Sequence, residues 1–354
     1  MPLHLKTAPT KTFADTAQQD VAERVRGIIG DIRENGDVAV RRYAEQFDDW
    51  SRDSYRLSDE EITEIIGTLD AQVITDIEFV QSQVRRFAQA QRDSLVDIEV
   101  ETLPGVFLGQ KHVPVQAAGA YIPGGKYPLT ASAHMTIITA KVAGVPRVVA
   151  CTPPIRGEIP AATVAAMKMA GADEIYILGG VQAVAAMAVG TDSIEPVNMI
   201  AGPGNAYVAE AKRQLFGEVG IDLFAGPTEI LIVADEHADP FFTAVDLLSQ
   251  AEHGPDSPAV LVTTSQALAE EVMDWIEKIL PGMPTRDYAG PAWRDWGQVI
   301  VADDLDEAYR IADDFAFEHV QIFTQNPREA LTKMHDYGAV SYTHLRAHET
   351  KANL

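Results

Sequence analysis

Residues 147–178 read RVVACTPPIRGEIPAATVAAMKMAGADEIYIL. Arg147 to Cys151 is a short β-branched run, Ala161 to Ala170 is alanine-rich and helical in texture, and Glu174 to Leu178 is β-branched and aromatic again. A strand, a helix and a strand in that order form a βαβ unit, the building block of a parallel sheet. The same alternation runs from Gly105 onward. Further strands are expected at Glu229 to Ala234, Ala259 to Thr263, Gln298 to Val301 and Gln321 to Thr324. Helices are expected near Ala131 to Ala143, Gln182 to Ala188, Asn205 to Leu215, Pro240 to Glu252, Gln266 to Ile279 and Leu305 to Phe315. This tally fits an α/β protein of two doubly wound, incomplete Rossmann-like lobes.

The first hundred residues read differently. Ser58 and Glu61 have the spacing of a capping box, and Val73, Ile77, Val80, Val84 and Phe87 recur at alternating four and three. This is a helical N-terminal arm. Its charged flanks favour a stripe that joins subunits, with core lining as the alternative.

The 354 residues suffice for two or three domains, and 46% hydrophobic residues can give each a core. A net charge of −24 repels phosphate backbones and anionic lipid, so neither nucleic acid nor a membrane is an expected partner. The start, MPLHLKTAPT, lacks the apolar stretch of a signal peptide, and no apolar run reaches the roughly 18 residues of a membrane span. A cytoplasmic protein is expected. Cys151 is the only cysteine, so a metal would need nitrogen and oxygen ligands; at the end of an apolar strand it reads as a small buried hydrophobe.

Three glycine-containing turns precede expected helices: Pro123-Gly124-Gly125, Gly179-Gly180 and Gly202-Pro203-Gly204-Asn205. Free N–H groups and the helix dipole at such places favour an anion such as a pyrophosphate, although none is GxGxxG and plain turn chemistry would account for each alone. Gln250 and His253 fall one helical turn apart on one face, so both could reach one ion; alternatively His253 merely complements the helix end beside Gly254. Glu318-His319 pairs the two side-chain types most used for proton transfer near neutral pH. Successive strand residues point to opposite faces, so both serve one site only if the backbone bends there. The alternative is an ordinary surface pair.

Taken together, Tyr121-Ile-Pro-Gly-Gly125, Ala140-Lys-Val-Ala-Gly144, Gly179-Gly-Val-Gln182-Ala, Gly202-Pro-Gly-Asn205, Ala225-Gly-Pro-Thr-Glu229, LLSQAEHGPD at Leu247 to Asp256 and Glu318-His319 resemble the histidinol dehydrogenase family from about residue 20 to Val340. The resemblance implies NAD contacts from Tyr121, Gln182 and Asn205, Zn2+ ligation by Gln250 and His253, and proton transfer by Glu318 and His319. It also implies a homodimer and the oxidation of a primary alcohol, through an aldehyde and its hydrate, to a carboxylate with two NAD reduced. One lobe would be inserted in the other: an N-terminal extension at 1–25, a first lobe with the arm at 26–120 and 223–340, and a second lobe at 121–222.

Two departures stand out. Thr228, at a position expected to meet substrate, replaces the usual serine after Ala-Gly-Pro, and Lys126-Tyr127-Pro128 to Ser132 and His134 looks more like the sulfopropanediol dehydrogenase branch. Substrates to consider are therefore L-histidinol and a dihydroxypropane sulfonate, whose anionic group Lys126, Ser132 and His134 would hold. After Val340, residues 341–354 read as a non-native tail replacing an Asp and a His ligand; His344 and His348 in it are not counted as ligands. The alternative function is an inactive fragment that retains at most NAD binding.

Overall fold

A computed structural model describes residues 2–8, 15–124, 129–223 and 228–342, with the backbone alone for 15–18. In chain order the elements are β1 (Leu3–Lys6), α1 (Asp15–Asp48), α2 (Asp59–Gly67), α3 (Ala71–Ser94), β2 (Ile98–Leu103), β3 (Val106–Gln110), β4 (Ala117–Tyr121), α4 (Thr130–Val142), β5 (Arg147–Thr152), α5 (Ala161–Ala170), β6 (Glu174–Ile177), α6 (Gly180–Val189), β7 (Met199–Ala201), α7 (Ala206–Leu215) and β8 (Gly220–Ile221). Then come β9 (Ile230–Ala234), α8 (Pro240–Ala251), β10 (Ala259–Thr263), α9 (Gln266–Ile279), α10 (Arg286–Trp296), β11 (Gln298–Val301), α11 (Leu305–Phe315), β12 (His319–Phe323), α12 (Ala330–Lys333) and β13 (Ala339–Tyr342). Contacts group the chain into a middle unit, residues 14–225, and an outer unit, residues 1–13 with 226–354.

The middle unit is built on a parallel sheet of order β6-β5-β4-β7-β8. The chain enters at the central strand, winds out to β6, then returns to the other side. Alternate residues of β5 enter different cores. Val149 and Cys151 join Ile32 of α1, Met187 of α6 and Val208 of α7. Val148 and Ala150 join Ile77 of α3, Ile138 of α4 and Met167 of α5. Burial on both faces is why this strand is nearly all apolar. The Ser58–Glu61 capping box starts α2: Glu61 N–H donates to Ser58 Oγ at 3.2 Å and Ser58 N–H to Glu61 Oε2 at 2.8 Å.

The outer unit repeats the plan. Its parallel strands run β11-β10-β9-β12-β13, and β1 adds antiparallel to the β11 edge. Ile230 and Ile232 face Leu247 of α8 and Val272 of α9, while Leu231 and Val233 face Tyr309 of α11. Both units thus show five of the six strands of the Rossmann order, 3-2-1-4-5, entered at the third strand in the line, and the α/β class with two incomplete lobes of that kind and a helical arm stands.

Three expectations are corrected. Residues 26–120 form one unit with 121–222, because α1 buries Val25, Ile28, Ile29 and Ile32 in the same core as α6 and α7, and because β4 is the central strand of that sheet. Residue 25 marks no boundary, since α1 runs through it. The α3 stripe divides: Ile77 is buried, with Val73 and Val84 packed beside it, whereas Val80 and Phe87 are exposed. Lastly, Ser341 and Tyr342 continue β13 in register with Gln321 and Ile322, so the sheet does not stop at Val340. His344 and His348 lie outside the described residues.

A hairpin of β2 and β3 stands apart from both sheets, and every one of its strand residues is exposed, Ile98, Val100, Phe107 and Leu108 among them.

The tightest backbone approach of the middle unit is at Gly202, just past β7. Its φ is +131°, and a Cβ there would lie 2.0 Å from the Tyr121 carbonyl oxygen. Its N–H donates to Asp222 Oδ2 at 2.8 Å, and its carbonyl accepts from the buried Lys212 Nζ at 2.9 Å. Lys212 and Asp222 also form an ion pair, so a buried lysine and its exposed aspartate partner hold both sides of this residue. Gly202→Ala is expected to cost on the order of 3 kcal/mol, since strain and overlap act together. Urea unfolding followed by far-ultraviolet circular dichroism would measure it, and an unchanged midpoint would contradict the stated geometry.

Candidate functional site

In the middle unit, parallel strands place Tyr121, Gly179-Gly180 and Gly202 to Asn205 together at the carboxyl edge of the sheet, around the reversal of strand order between β4 and β7. Dinucleotides bind at such edges in doubly wound folds. The polar groups there are already engaged. The Tyr121 hydroxyl accepts the Gly180 N–H at 3.0 Å. Gln182 is fully buried, with Nε2 donating to Asp48 Oδ2 at 2.9 Å and Oε1 unpartnered among the described residues. Asp48 also accepts the Gly179 N–H; burial pushes its carboxyl up, and the bonds from Gln182 and Gly179 pull it back. Asn205 Oδ1 caps α7, accepting from Tyr207 and Val208 N–H at 3.1 Å each.

At two of the three glycine turns the hydrogen bonds are those of the plain turn chemistry weighed beside anion binding. The Gly179 and Gly180 N–H groups at the start of α6 go to Asp48 and Tyr121, those of Tyr207 and Val208 in α7 go to Asn205, and Leu129 supplies α4 with no side-chain cap among the described residues. Gly125 and Lys126 to Pro128, ahead of α4, lie outside the described residues, as do Ala225 to Pro227.

In the outer unit the interesting edge is the opposite one. A crossover helix runs antiparallel to its strands, so the C-terminal end of α8 returns to where β9 and β12 begin. Gln250 on its last turn donates through Nε2 to Thr228 Oγ1 at 2.7 Å, just ahead of β9. His253 follows directly, with its N–H on the Gln250 carbonyl at 3.1 Å. Glu318 and His319 open β12, where His319 is in register with Ile230 and the Glu318 N–H donates to Glu229 Oε1 at 3.1 Å. The Glu318 and His319 side chains do share one side, with Oε2 and Nδ1 3.6 Å apart. The bend that this requires exists because Glu318 precedes the strand and His319 is its first residue.

This edge suits a cation better than an anion. The end of α8 presents partial negative charge. An amide whose nitrogen is committed to Thr228 leaves its oxygen free to act as a ligand, and the His253 imidazole would add a nitrogen, both donor types that zinc accepts. A group of three potential ligands, Asp235, Glu236 and His237, lies at the other end of β9. There Asp235 accepts His237 N–H at 2.9 Å and Gln325 N–H at 2.7 Å, which are the bonds of a closed turn.

Two polar residues missed by sequence reasoning hold these clusters. Asp48 is 134 positions from Gln182, and nothing local marks it. Glu229 is visible in Ala-Gly-Pro-Thr-Glu, but reads as the first residue of a strand. Cys151 is a buried hydrophobe as expected, its thiol pushed up by burial.

His134 does not serve as a substrate donor. It is buried between α3 and α4, with Nδ1 3.1 Å from Gln81 Nε2, which also donates to the Ala166 carbonyl at 2.9 Å. Burial lowers its pKa from 6.5, so the folded protein keeps it neutral. The unfolded chain takes up a proton first as pH falls, so the stability contributed is full above the unfolded pKa and declines below it, by at most about 1.4 kcal/mol per pH unit until the folded pKa is reached. Urea unfolding of wild type and His134→Gln between pH 7.5 and 5.5 should show a smaller acid-side decline in the variant. Parallel declines would remove His134 as the source.

The fold defines an α/β protein of two lobes, each built on five parallel strands in doubly wound order. The histidinol dehydrogenase sequence profile matches residues 12–350. The chain is 57% identical over 340 residues to a "Histidinol dehydrogenase homolog" of Shouchella clausii, covering 96% of this chain and 80% of that protein. It is 44% identical over 340 residues to the "Sulfopropanediol 3-dehydrogenase" of Ruegeria pomeroyi, covering 95% and 78%. The crystal structure of histidinol dehydrogenase from Elizabethkingia anophelis superposes with a TM-score of 0.87 at 32% identity, over 95% of this chain and 76% of that one. The chain belongs to the histidinol dehydrogenase family of oxidoreductases.

Proposed function

We propose that this protein catalyses the NAD-dependent, zinc-assisted four-electron oxidation of a primary alcohol to a carboxylate. The observation that carries the reading is the convergence of Gln250, Thr228, Glu318 and His319 on the amino edge of one sheet, beside His253. The balanced reaction takes one alcohol, one water and two NAD to one carboxylate, two NADH and three protons. Gln250 and His253 would hold the zinc, and Tyr121 and Asn205 would meet the NAD. When bound, these groups polarise the alcohol oxygen and accept a hydride in each half-reaction.

The protein's own residues manage protons and position. His319 takes the alcohol proton in the first half. Glu318, 3.6 Å from it, takes a proton from the water that adds to the aldehyde. Thr228, whose hydroxyl oxygen accepts the Gln250 amide N–H, would use its own O–H to bond a substrate hydroxyl. Gln182 supports the cofactor turn from beneath, through Asp48.

The substrate class is a small polyol carrying an anionic group, such as 2,3-dihydroxypropane-1-sulfonate; similarity to a sulfopropanediol dehydrogenase supports it, and L-histidinol is its competitor. With His134 withdrawn, the substrate contacts remain those of the amino edge. We also read the protein as a cytoplasmic homodimer. No helix among the described residues is long and apolar enough to cross a membrane. The exposed apolar residues of β2, β3 and α3 offer a surface of the sort that subunits bury.

NADH formation at 340 nm, with zinc, should be seen with the sulfonate and be weaker with L-histidinol; the reverse order would reassign the substrate. NAD binding without turnover of either alcohol would leave a binding fragment as the better description. His253→Ala should weaken zinc binding by roughly tenfold or more in a chelator competition, as loss of a direct ligand exceeds the usual cost of losing a supporting residue. Unchanged affinity would take His253 out of the site.

A further inference from the structure

We infer that Glu229 is a positioning residue for the Glu318–His319 pair, fixing through a side-chain-to-backbone hydrogen bond the direction in which both side chains leave the start of β12. The inference rests on reading Glu318 and His319 as the proton-transfer pair. Glu229 lies one residue ahead of β9, and the register sets Ile230 of β9 opposite His319 of β12. At this first rung the Glu318 N–H donates to Glu229 Oε1 at 3.1 Å, so a side chain takes a bond that the strand ladder leaves to be filled.

On its other flank the same residue is held by backbone. The Glu318 carbonyl accepts the Ala339 N–H at 2.7 Å, and the Phe317 carbonyl accepts the Gly338 N–H at 3.2 Å. Gly338 passes so close that a Cβ there would be 2.7 Å from the Glu318 carbonyl oxygen. The peptide units on both sides of Glu318 are thus fixed from β13, and its N–H from the side of β9.

The pair needs such support because its own side chains are exposed, 44% for Glu318 and 46% for His319. Little packing constrains them, so their direction is inherited from the backbone. Misplacement of a reacting group by an ångström can cost about a hundredfold in rate. The bond also needs an acceptor oxygen more than a charge. Burial and the nearby Glu318 carboxylate both oppose ionisation of Glu229, while the Glu318 N–H and His319 favour it. A neutral amide oxygen at the same place would make the same bond. Thr228, immediately before it, holds the Gln250 amide, so two adjacent residues orient one member of each functional pair.

The test compares Glu229→Gln and Glu229→Ala in the full chain. It reads amide hydrogen exchange at Glu318, together with kcat and KM on whichever alcohol the wild type oxidises. Glu229→Gln should keep slow exchange and a kcat within about threefold of wild type. Glu229→Ala should exchange faster at Glu318 and lose roughly tenfold or more in kcat, with KM within about twofold. The inference is overturned if Glu229→Ala keeps its kcat, or if Glu229→Gln falls as far as Glu229→Ala, which would make the charge the working feature. A wild type that oxidises neither alcohol overturns the proton-transfer reading and the inference with it. That case is told apart from failure of the inference alone, in which the wild type turns over.

Discussion

Two parallel strands can be joined only by a segment that crosses back over the sheet, and in this chain that segment is nearly always a helix. Every helix between parallel strands therefore starts at one edge of its sheet and finishes at the other. The two edges differ electrically, one receiving the N–H ends of the helices and the other their carbonyl ends. The middle unit gathers Tyr121 and Asn205 at its N–H-rich edge, and the outer unit gathers Gln250, His253, Glu318 and His319 at its carbonyl-rich edge. Copies of one topology thus gather their polar residues at edges of opposite helix polarity.

The middle unit does not leave its positive ends open. Asp48, Tyr121 and Asn205 accept from the first turns of α6 and α7. This arrangement satisfies backbone groups that would be costly to bury unpaired. It also makes the turns rigid, with Lys212 and Asp222 holding Gly202 from both sides. Truncating Asp222 would leave the buried Lys212 charge unmatched, so the pair specifies a conformation whatever its net worth to stability.

The strands at 147–152, 259–263 and 298–301 were legible because they are apolar and β-branched, and the helices between them because their periodicity is strong. β4 was not, although it is the centre of its sheet. Its sequence is AAGAY, and packing explains the small residues: a Cβ on Gly119 would lie 2.8 Å from Met187 Sδ. β1 and β7 are too short to show a pattern. In the site, the Gln250–His253 spacing was readable although α8 ends at Ala251: His253 stands in the turn just beyond, where its N–H closes on the Gln250 carbonyl. The bend at Glu318 was not, because it is set by Glu229 and by β13, neither of which is local. His134 lies near a glycine turn along the chain, yet its partner Gln81 is 53 positions away. The unit boundaries failed for a similar reason, as the partners of α1 are α6 and α7.

The pairing of β1 with β11 puts Leu3 opposite Val301. On the ribosome, at roughly 5–20 residues per second, the first of these emerges about fifteen seconds to a minute before the second exists. The middle unit, a continuous segment, can complete its sheet within that interval; the outer unit cannot. A folded middle unit also shortens the free loop that β1 must close, which for about three hundred flexible residues would cost about 3 kcal/mol more than for ten. A strand that waits this long is best kept short and charged, and LHLK, four residues ending in a lysine, is both.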